Sequence, residues 1–367
     1  MLRTLTPPPT GLVTTMPNTK LSLLICTRDG SRTIERAIRA IIAQGRNSLE
    51  EYEIVVVDNN SSDNTLEIAR ATLSSSSVSF QILQEGKPGK IYAFLAGVAA
   101  CRGDAITIID DDNVIGDGFI SVVTDLLASY PKVAMIGSHN SLALPSTSHV
   151  PEWFEWMRGR YGCGQPYLNE VVHKTETTTI ARTGVIAGAG STFRKQPLID
   201  CLNSGYTFYN DTQRGSGMSV TGEDLELCWL FRSMGLLFAY DARLLLSHLV
   251  NPDRLTIPAA YRLSRTIGAG ALGTDPFIFT PPPNEVRTLT RLRHTWQWQL
   301  LSKLKRYLSL WARSPFPSHF LQENSWRSAI ARTECWGAIA RIARERGRYT
   351  AHINQVTDGE WTRYRVR

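Results

Sequence analysis

Cysteine is scarce and unpaired in this sequence: six in 367 residues (Cys26, Cys101, Cys163, Cys201, Cys228, Cys335), with no Cys-x-x-Cys pair and no histidine at metal-ligand spacing. That excludes a zinc module and a disulfide framework, and it fits free thiols in a reducing cytoplasm. Long apolar runs are missing too. No uncharged stretch is long and apolar enough to span a bilayer, and Met1-Leu2-Arg3 followed by Pro7-Pro8-Pro9 lacks the apolar core of a signal peptide. The expectation is a cytoplasmic chain, with any membrane contact peripheral and on the inner face of the plasma membrane. Glycine is sparse where a dinucleotide-dependent oxidoreductase would need it. The turn Thr27-Arg28-Asp29-Gly30-Ser31-Arg32 holds one glycine, so neither the Gly-x-Gly-x-x-Gly fingerprint nor the glycine-rich basic loop of a nucleotidyltransferase is present. No internal repeat is visible.

The formal net charge is +7 with 43% hydrophobic residues, and the charge is unevenly placed. Residues 287–367 hold 16 basic and 5 acidic residues, leaving 24 basic and 28 acidic in the rest. A mildly acidic body with a basic tail points to an anionic partner for the tail alone, a membrane surface or a nucleic acid. With no recognition module in view, nucleic acid is not expected.

Along the body, apolar β-rich runs alternate with helical spacing. Lys20–Cys26 reads as a buried strand, and Thr33–Gln44 as a helix with Ile34, Ala37, Ile38 and Ile41 on one face. Tyr52–Val57 is a second strand ending at Asp58, with Ser61-Ser62-Asp63 offering an N-cap to a helix over 64–73. Val78–Leu83 leads through Lys87-Pro88-Gly89-Lys90 into a helix ending near Ala100. The alternation predicts a doubly wound, mostly parallel sheet flanked by helices, whose ligands bind beyond the carboxyl ends of the strands. Thr27, Asp58 and Asp110-Asp111-Asp112 all fall at such ends.

The acidic triplet carries the chemistry. Ile108-Ile109 run straight into Asp110-Asp111-Asp112-Asn113, and ending a buried strand on three like charges is costly without a cation to offset the repulsion. Asp110 and Asp112, two apart, are expected to reach one hard cation, Mg²⁺ or Mn²⁺, which could hold a diphosphate.

Beyond Gly137 the alternation breaks. Residues 145–180 collect Trp153, Phe154, Trp156, Tyr161 and Tyr167, either a loop folded over its own aromatics or a substrate-facing lid. Regular structure is expected again over 184–193, in a helix over 223–234, and in two short strands, 236–240 and 244–246. The division read along the chain is a leader over 1–19, a catalytic domain over 20–250, a connecting segment over 251–283 and a basic helical extension over 284–367. In that extension Leu292, Trp296, Leu300, Leu301, Leu304, Leu308 and Trp311 recur at spacings of three and four. With Lys303, Lys305 and Arg306 largely off this stripe, the helix either lies on an anionic membrane or packs on the body.

The ordered set Leu21–Arg28, Ile54–Asn64, Gly86–Gly103, Asp110–Asn113, Gly188–Arg194 and Gly222-Glu223-Asp224-Leu225-Glu226-Leu227 resembles the family 2 glycosyltransferases of GT-A fold, over residues 20–250. The first strand departs from the pattern, ending Thr27-Arg28-Asp29 where Thr-Tyr-Asn is commoner. The resemblance implies transfer of a sugar from a nucleoside diphosphate, UDP favoured, to a glycan or lipid-linked hydroxyl in surface polysaccharide synthesis. Transfer would be inverting and dependent on Mn²⁺ or Mg²⁺. It puts Asp58 on the base, Asp110 or Asp111 on the sugar nucleotide with Thr27 and Lys90, and Gly188 and Gly190 near the donor sugar. Asp112 becomes the metal ligand, His248 a late metal or diphosphate ligand, Asp224 the catalytic base, and Glu223, Trp153 and Trp156 the acceptor side. For His248 a core role is the other reading. A degenerate transferase that only binds glycan or a partner is the alternative function.

Overall fold

The computed structural model describes residues 21–44, 52–146, 148–210, 220–279, 292–313 and 325–358. The expected leader over 1–19 lies outside them. Two compact units emerge. The first draws on Met1–Leu144, Gly162–Ile199 and Leu236–Val250, the second on Pro145–Tyr161, Asp200–Gly235 and Asn251–Arg367. The linear division at residue 250 therefore runs differently from the packing, because residues 145–161 and 200–235 gather with the C-terminal helices.

The first unit is the expected sheet. Strands β1 (Leu21–Thr27), β2 (Tyr52–Asp58), β3 (Ser79–Gln84) and β4 (Ala105–Asp110) pair in parallel in the order β3-β2-β1-β4. Helices α1 (Ile34–Gln44), α2 (Thr65–Ser74) and α3 (Lys90–Ala100) make the crossovers. Their apolar stripes meet the strands in one core that includes Leu23, Ile25, Ile38, Ile41, Ile54, Val56 and Ile109. Each such side chain removed from water contributes about 1.5–3 kcal/mol. One charge is built into this core. Glu53, fully buried in β2, accepts from Ser22 Oγ at 2.8 Å, the Arg102 amide at 2.6 Å and Gln81 Nε2 at 3.1 Å, tying three strands and the end of α3 together.

After β5 (Asn113–Ile115) and α4 (Phe119–Ser129), β6 (Val133–Ala143), β7 (Tyr167–Lys174), β8 (Thr178–Val185), β9 (Thr192–Arg194) and β10 (Leu237–Leu249) extend the sheet in the order β4-β9-β6-β10-β8-β7. Two expectations change here. Part of the aromatic segment is an antiparallel hairpin, β7–β8, and the two short strands are one bent strand, β10. The bend lies where Asp241, buried, accepts from Thr178 Oγ1 at 2.6 Å and from the Arg243 guanidinium at 2.9 Å. A charge satisfied locally lets a strand pass through a position that reads as a break. All six cysteines are free thiols, five of them buried.

The second unit is helical: α5 (Trp153–Met157), the end of α6 (Lys195–Asn203), α7 (Glu223–Ser233), α8 (Ile257–Gly270), α9 (Asp275–Phe279), α10 (Trp296–Arg313), α11 (Ser325–Arg344) and α12 (Arg346–Asp358). Helices α8 and α11 cross in backbone contact. A Cβ at Gly268 would stand 1.9 Å from the Glu334 carbonyl oxygen, and one at Gly337 2.1 Å from that of Arg265. The stripe on α10 divides. Trp296 and Leu300 pack on Tyr209, Leu272, Ala338, Ile342, Tyr349 and Ile353, whereas Leu301 and Leu308 are 63% and 64% exposed, and Leu292 and Trp311 are exposed too. Lys303 faces inward to the buried Asp275 at 2.9 Å. Among the described residues, no helix is long and apolar enough to cross a membrane.

Candidate active site

The parallel register brings three strand ends side by side, with Thr27 opposite Asp58 and Cys26 opposite Asp110. Thr27 Oγ1 donates to Asp111 Oδ2. Burial, followed by the neighbouring charges of Asp112 and Asp110, pushes the Asp111 carboxyl up to about 6, against the Thr27 bond and Lys90. Lys90, at the start of α3, pairs with Asp110 Oδ1 at 2.7 Å. Asp58 is buried and accepts weakly from the Ser61 amide, at 3.3 Å.

Asp110 and Asp112 were expected to share one cation, but they have different partners: Lys90 for the first, His248 for the second. The reason is local. The strand ends at Asp110 and the chain turns through Asp111 and Asp112, so the alternation of side chains along a strand lapses there. The antiparallel ladder of β10 on β5 sets His248 opposite Asn113, and the Leu249 amide donates to the Asp112 carbonyl at 2.8 Å. His248 Nε2 and Asp112 Oδ2 consequently stand 3.2 Å apart. Burial alone would lower the His248 pKa, but Asp112 and Cys163 beside it raise it to about 10. Asp112 Oδ1 accepts from Asn113 Nδ2 at 3.0 Å, so Oδ2 is the oxygen turned to the histidine.

These two donors suit a divalent cation. Ligands about 2.1 Å from an octahedral ion are about 3 Å apart when adjacent. Among the described residues no group of three His, Cys, Asp or Glu side chains gathers for a metal. The pair therefore fits an ion that takes two protein donors and fills its other positions with phosphate oxygens and water, as Mg²⁺ commonly does.

The Gly188–Gly190 loop is fastened to the same strand. The Gly190 amide donates to the Ile108 carbonyl at 2.9 Å, two residues before Asp110, and Asn140 Nδ2 donates to the Ala189 carbonyl at 2.9 Å. Two positioning residues escaped the sequence reading. Asn113, fully buried, orients Asp112 and accepts from the Asp110 amide at 3.0 Å. Asn59 donates to the carbonyls of Glu85 and Lys87 and accepts from the Gly89 amide at 2.8 Å, shaping the turn that delivers Lys90. Asn59 directly follows the aspartate that ends β2, and Asn113 the last aspartate of the turn after β4, which is the only signal they give.

The first unit thus collects Thr27, Asp58, Lys90, Asp110, Asp111, Asp112, Gly188, Gly190 and His248. Asp224, Glu223, Trp153 and Trp156 belong to the second unit. Asp224 and Glu223 lie in the first turn of α7. Asp224 Oδ1 accepts from the Leu225 amide at 2.8 Å. Trp153 lies tilted against Tyr161, at 6.3 Å between ring centres, and Trp156 meets Trp326 edge-on at 5.2 Å with Arg160 over its face.

Residues 22–186 match the family profile described as glycosyl transferase family 2. The chain is 30% identical over 95 residues to an uncharacterized glycosyltransferase of Nostoc sp., covering 26% of this chain and 29% of that protein. To glycosyltransferase GlyG of Streptococcus pneumoniae it is 27% identical over 94 residues, 26% and 31% of the two chains. It therefore spans about a third of the curated relatives it matches. Among solved structures, S. aureus TarS residues 1–349 superposes over 89% of this chain and 91% of that one, with a TM-score of 0.46 and 11% identity. The strand ends and the acidic triplet thus lie inside the segment, residues 22–186, that is similar to glycosyl transferase family 2.

Proposed function

We propose that the protein is a metal-dependent glycosyltransferase that moves a sugar from a nucleoside diphosphate, a UDP-sugar, to a hydroxyl of a glycan or lipid-linked acceptor with inversion, in surface polysaccharide synthesis. The observation that carries this reading is the Asp112–His248 pair at the end of β4, inside the segment that matches the family. Asp58 and Thr27 hold the nucleoside side of the donor, and Lys90 and Asp111 its ribose and phosphates. Asp112 Oδ2 and His248 Nε2 hold the cation, which when bound offsets the charge that develops on the leaving diphosphate. For the cation to bind, His248 must give up its proton, so turnover at subsaturating metal rises with pH. The acceptor hydroxyl loses its proton as it attacks, and the Asp224 carboxylate takes it, with Glu223 on the acceptor side.

A peripheral membrane position for the enzyme, on the cytoplasmic face, is supported by the outer side of α10. There Leu301 and Leu308 are exposed beside Lys305 and Arg306, and the helix carries no acidic residue.

The test is nucleoside diphosphate release by the purified chain against a panel of nucleotide sugars, with Mn²⁺ or Mg²⁺ and with chelator. Metal-stimulated release from a UDP-sugar supports the proposal. Absence of release from every donor would leave the degenerate binding protein as the reading, and a product of retained anomeric configuration by NMR would overturn inversion.

A further inference from the structure

The turn that launches Asp224 is held from a distance. Gly222, with φ of 111°, occupies the left-handed region that favours glycine, and its carbonyl accepts the first helical bond of α7 from the Glu226 amide at 2.9 Å. The same carbonyl accepts from Asn210 Nδ2 at 3.1 Å. Asn210 is 1% exposed and saturated: Nδ2 also donates to the Gly270 carbonyl at 2.9 Å, its amide donates to Glu226 Oε2 at 2.9 Å, and Oδ1 accepts from Arg341 Nη1 at 2.7 Å.

Arg341 comes from α11, in the basic extension, and is 0% exposed. Its guanidinium also donates to the carbonyls of Ala269 at 2.9 Å and Tyr209 at 2.8 Å and to Glu345 at 3.2 Å, and it lies 4.0 Å from the centre of the Tyr209 ring. A fold rarely requires such a group, since well-packed apolar residues commonly replace buried ions without loss of stability. What a planar, many-pronged donor supplies is a fixed position for everything it binds.

We propose that Arg341, acting through Asn210, is a positioning residue for Asp224: it fixes the Gly222 turn, and with it the direction in which the first carboxylates of α7 point. The basic extension is then part of the catalytic machinery as well as a surface. This inference rests on the reading of Asp224 as the base.

Steady-state kinetics with the nucleotide sugar identified in the panel, at saturating acceptor, test it. Asn210→Asp keeps the shape and the bond from Arg341 but cannot donate to Gly222. Arg341→Lys keeps the charge but cannot reach its carbonyls and Asn210 together. Each is expected to lower kcat about 10- to 100-fold with the donor KM unchanged, the cost of a small misplacement of a reacting group. Asn210→Asp added to Asp224→Asn is expected to cause no further loss, because both act through one carboxylate. Wild-type kcat in folded Asn210→Asp or Arg341→Lys, alongside an inactive Asp224→Asn, would overturn the positioning role alone. So would losses that multiply in the double variant. Full activity in Asp224→Asn would instead remove the base itself, and the proposal with it.

Discussion

In the first unit the carboxylates of Asp110, Asp111 and Asp112 are half-buried where a strand runs out, Asp110 against Lys90, Asp111 against Thr27, and Asp112 against His248 and Asn113. In the second, Glu226 is fully buried and accepts from the Tyr206 hydroxyl and the Tyr209 and Asn210 amides at 2.7–2.9 Å. Burial still pushes Glu226 up to about 7 despite those donors. The first arrangement keeps like charges together where a cation would lower their energy. The second closes on itself and fixes the backbone around it. On the proposed reading, charge serves as a ligand site in one unit and as a framework in the other.

The sharpest way to break this comparison is Asp224→Asn. An amide cannot take the acceptor proton, so kcat should fall about 10²- to 10⁴-fold while the unfolding midpoint stays near wild type. Asn113→Ala probes the first unit. With Asp112 no longer oriented, metal affinity read from activation curves should weaken about 10- to 100-fold, and an unchanged curve would show that Asp112 needs no support. Leu301→Ser with Leu308→Ser tests the outer side of α10: binding to anionic vesicles should drop about ten-fold or more with kcat on a soluble acceptor unchanged. Equal co-sedimentation of variant and wild type would assign the exposed leucines no membrane role.

The smallest effect is expected at His352, whose ring stacks on Tyr209 at 4.8 Å and whose Nε2 donates to the Gly273 carbonyl at 2.9 Å. Burial lowers its pKa from 6.5 to about 4. The unfolded chain therefore takes up a proton that the folded one refuses, and the stability this group contributes above pH 6.5 is lost as pH falls toward 4. His352→Phe should be less stable at pH 7 yet flatter between pH 7 and 5 in thermal unfolding. An unaltered acid slope would mean His352 is not held neutral.

How far the sequence reaches follows the same divide. Buried parallel strands are apolar runs that stop at a polar residue, so β1, β2 and β4 and the residues at their ends were legible. The β7–β8 hairpin was not, because nearly every residue of β7 is exposed and no alternation marks it. On α10, spacing alone cannot tell Leu300, which packs inward, from Leu301, which points out. Arg341 was invisible for a physical reason: an arginine in a basic helix reads as surface, and only the carbonyls brought to it by the fold show why it is inside. His248 was readable only in part, since its partner is fixed by strand register and not by distance along the chain.

The division of labour is tested most directly by calorimetric titration of UDP with Mn²⁺ into wild type, Asp112→Ala and Asp224→Asn. Asp112→Ala should lose the metal-dependent part of nucleotide affinity, and Asp224→Asn should bind as wild type does. Equal loss in both variants, or none in Asp112→Ala, would contradict the account.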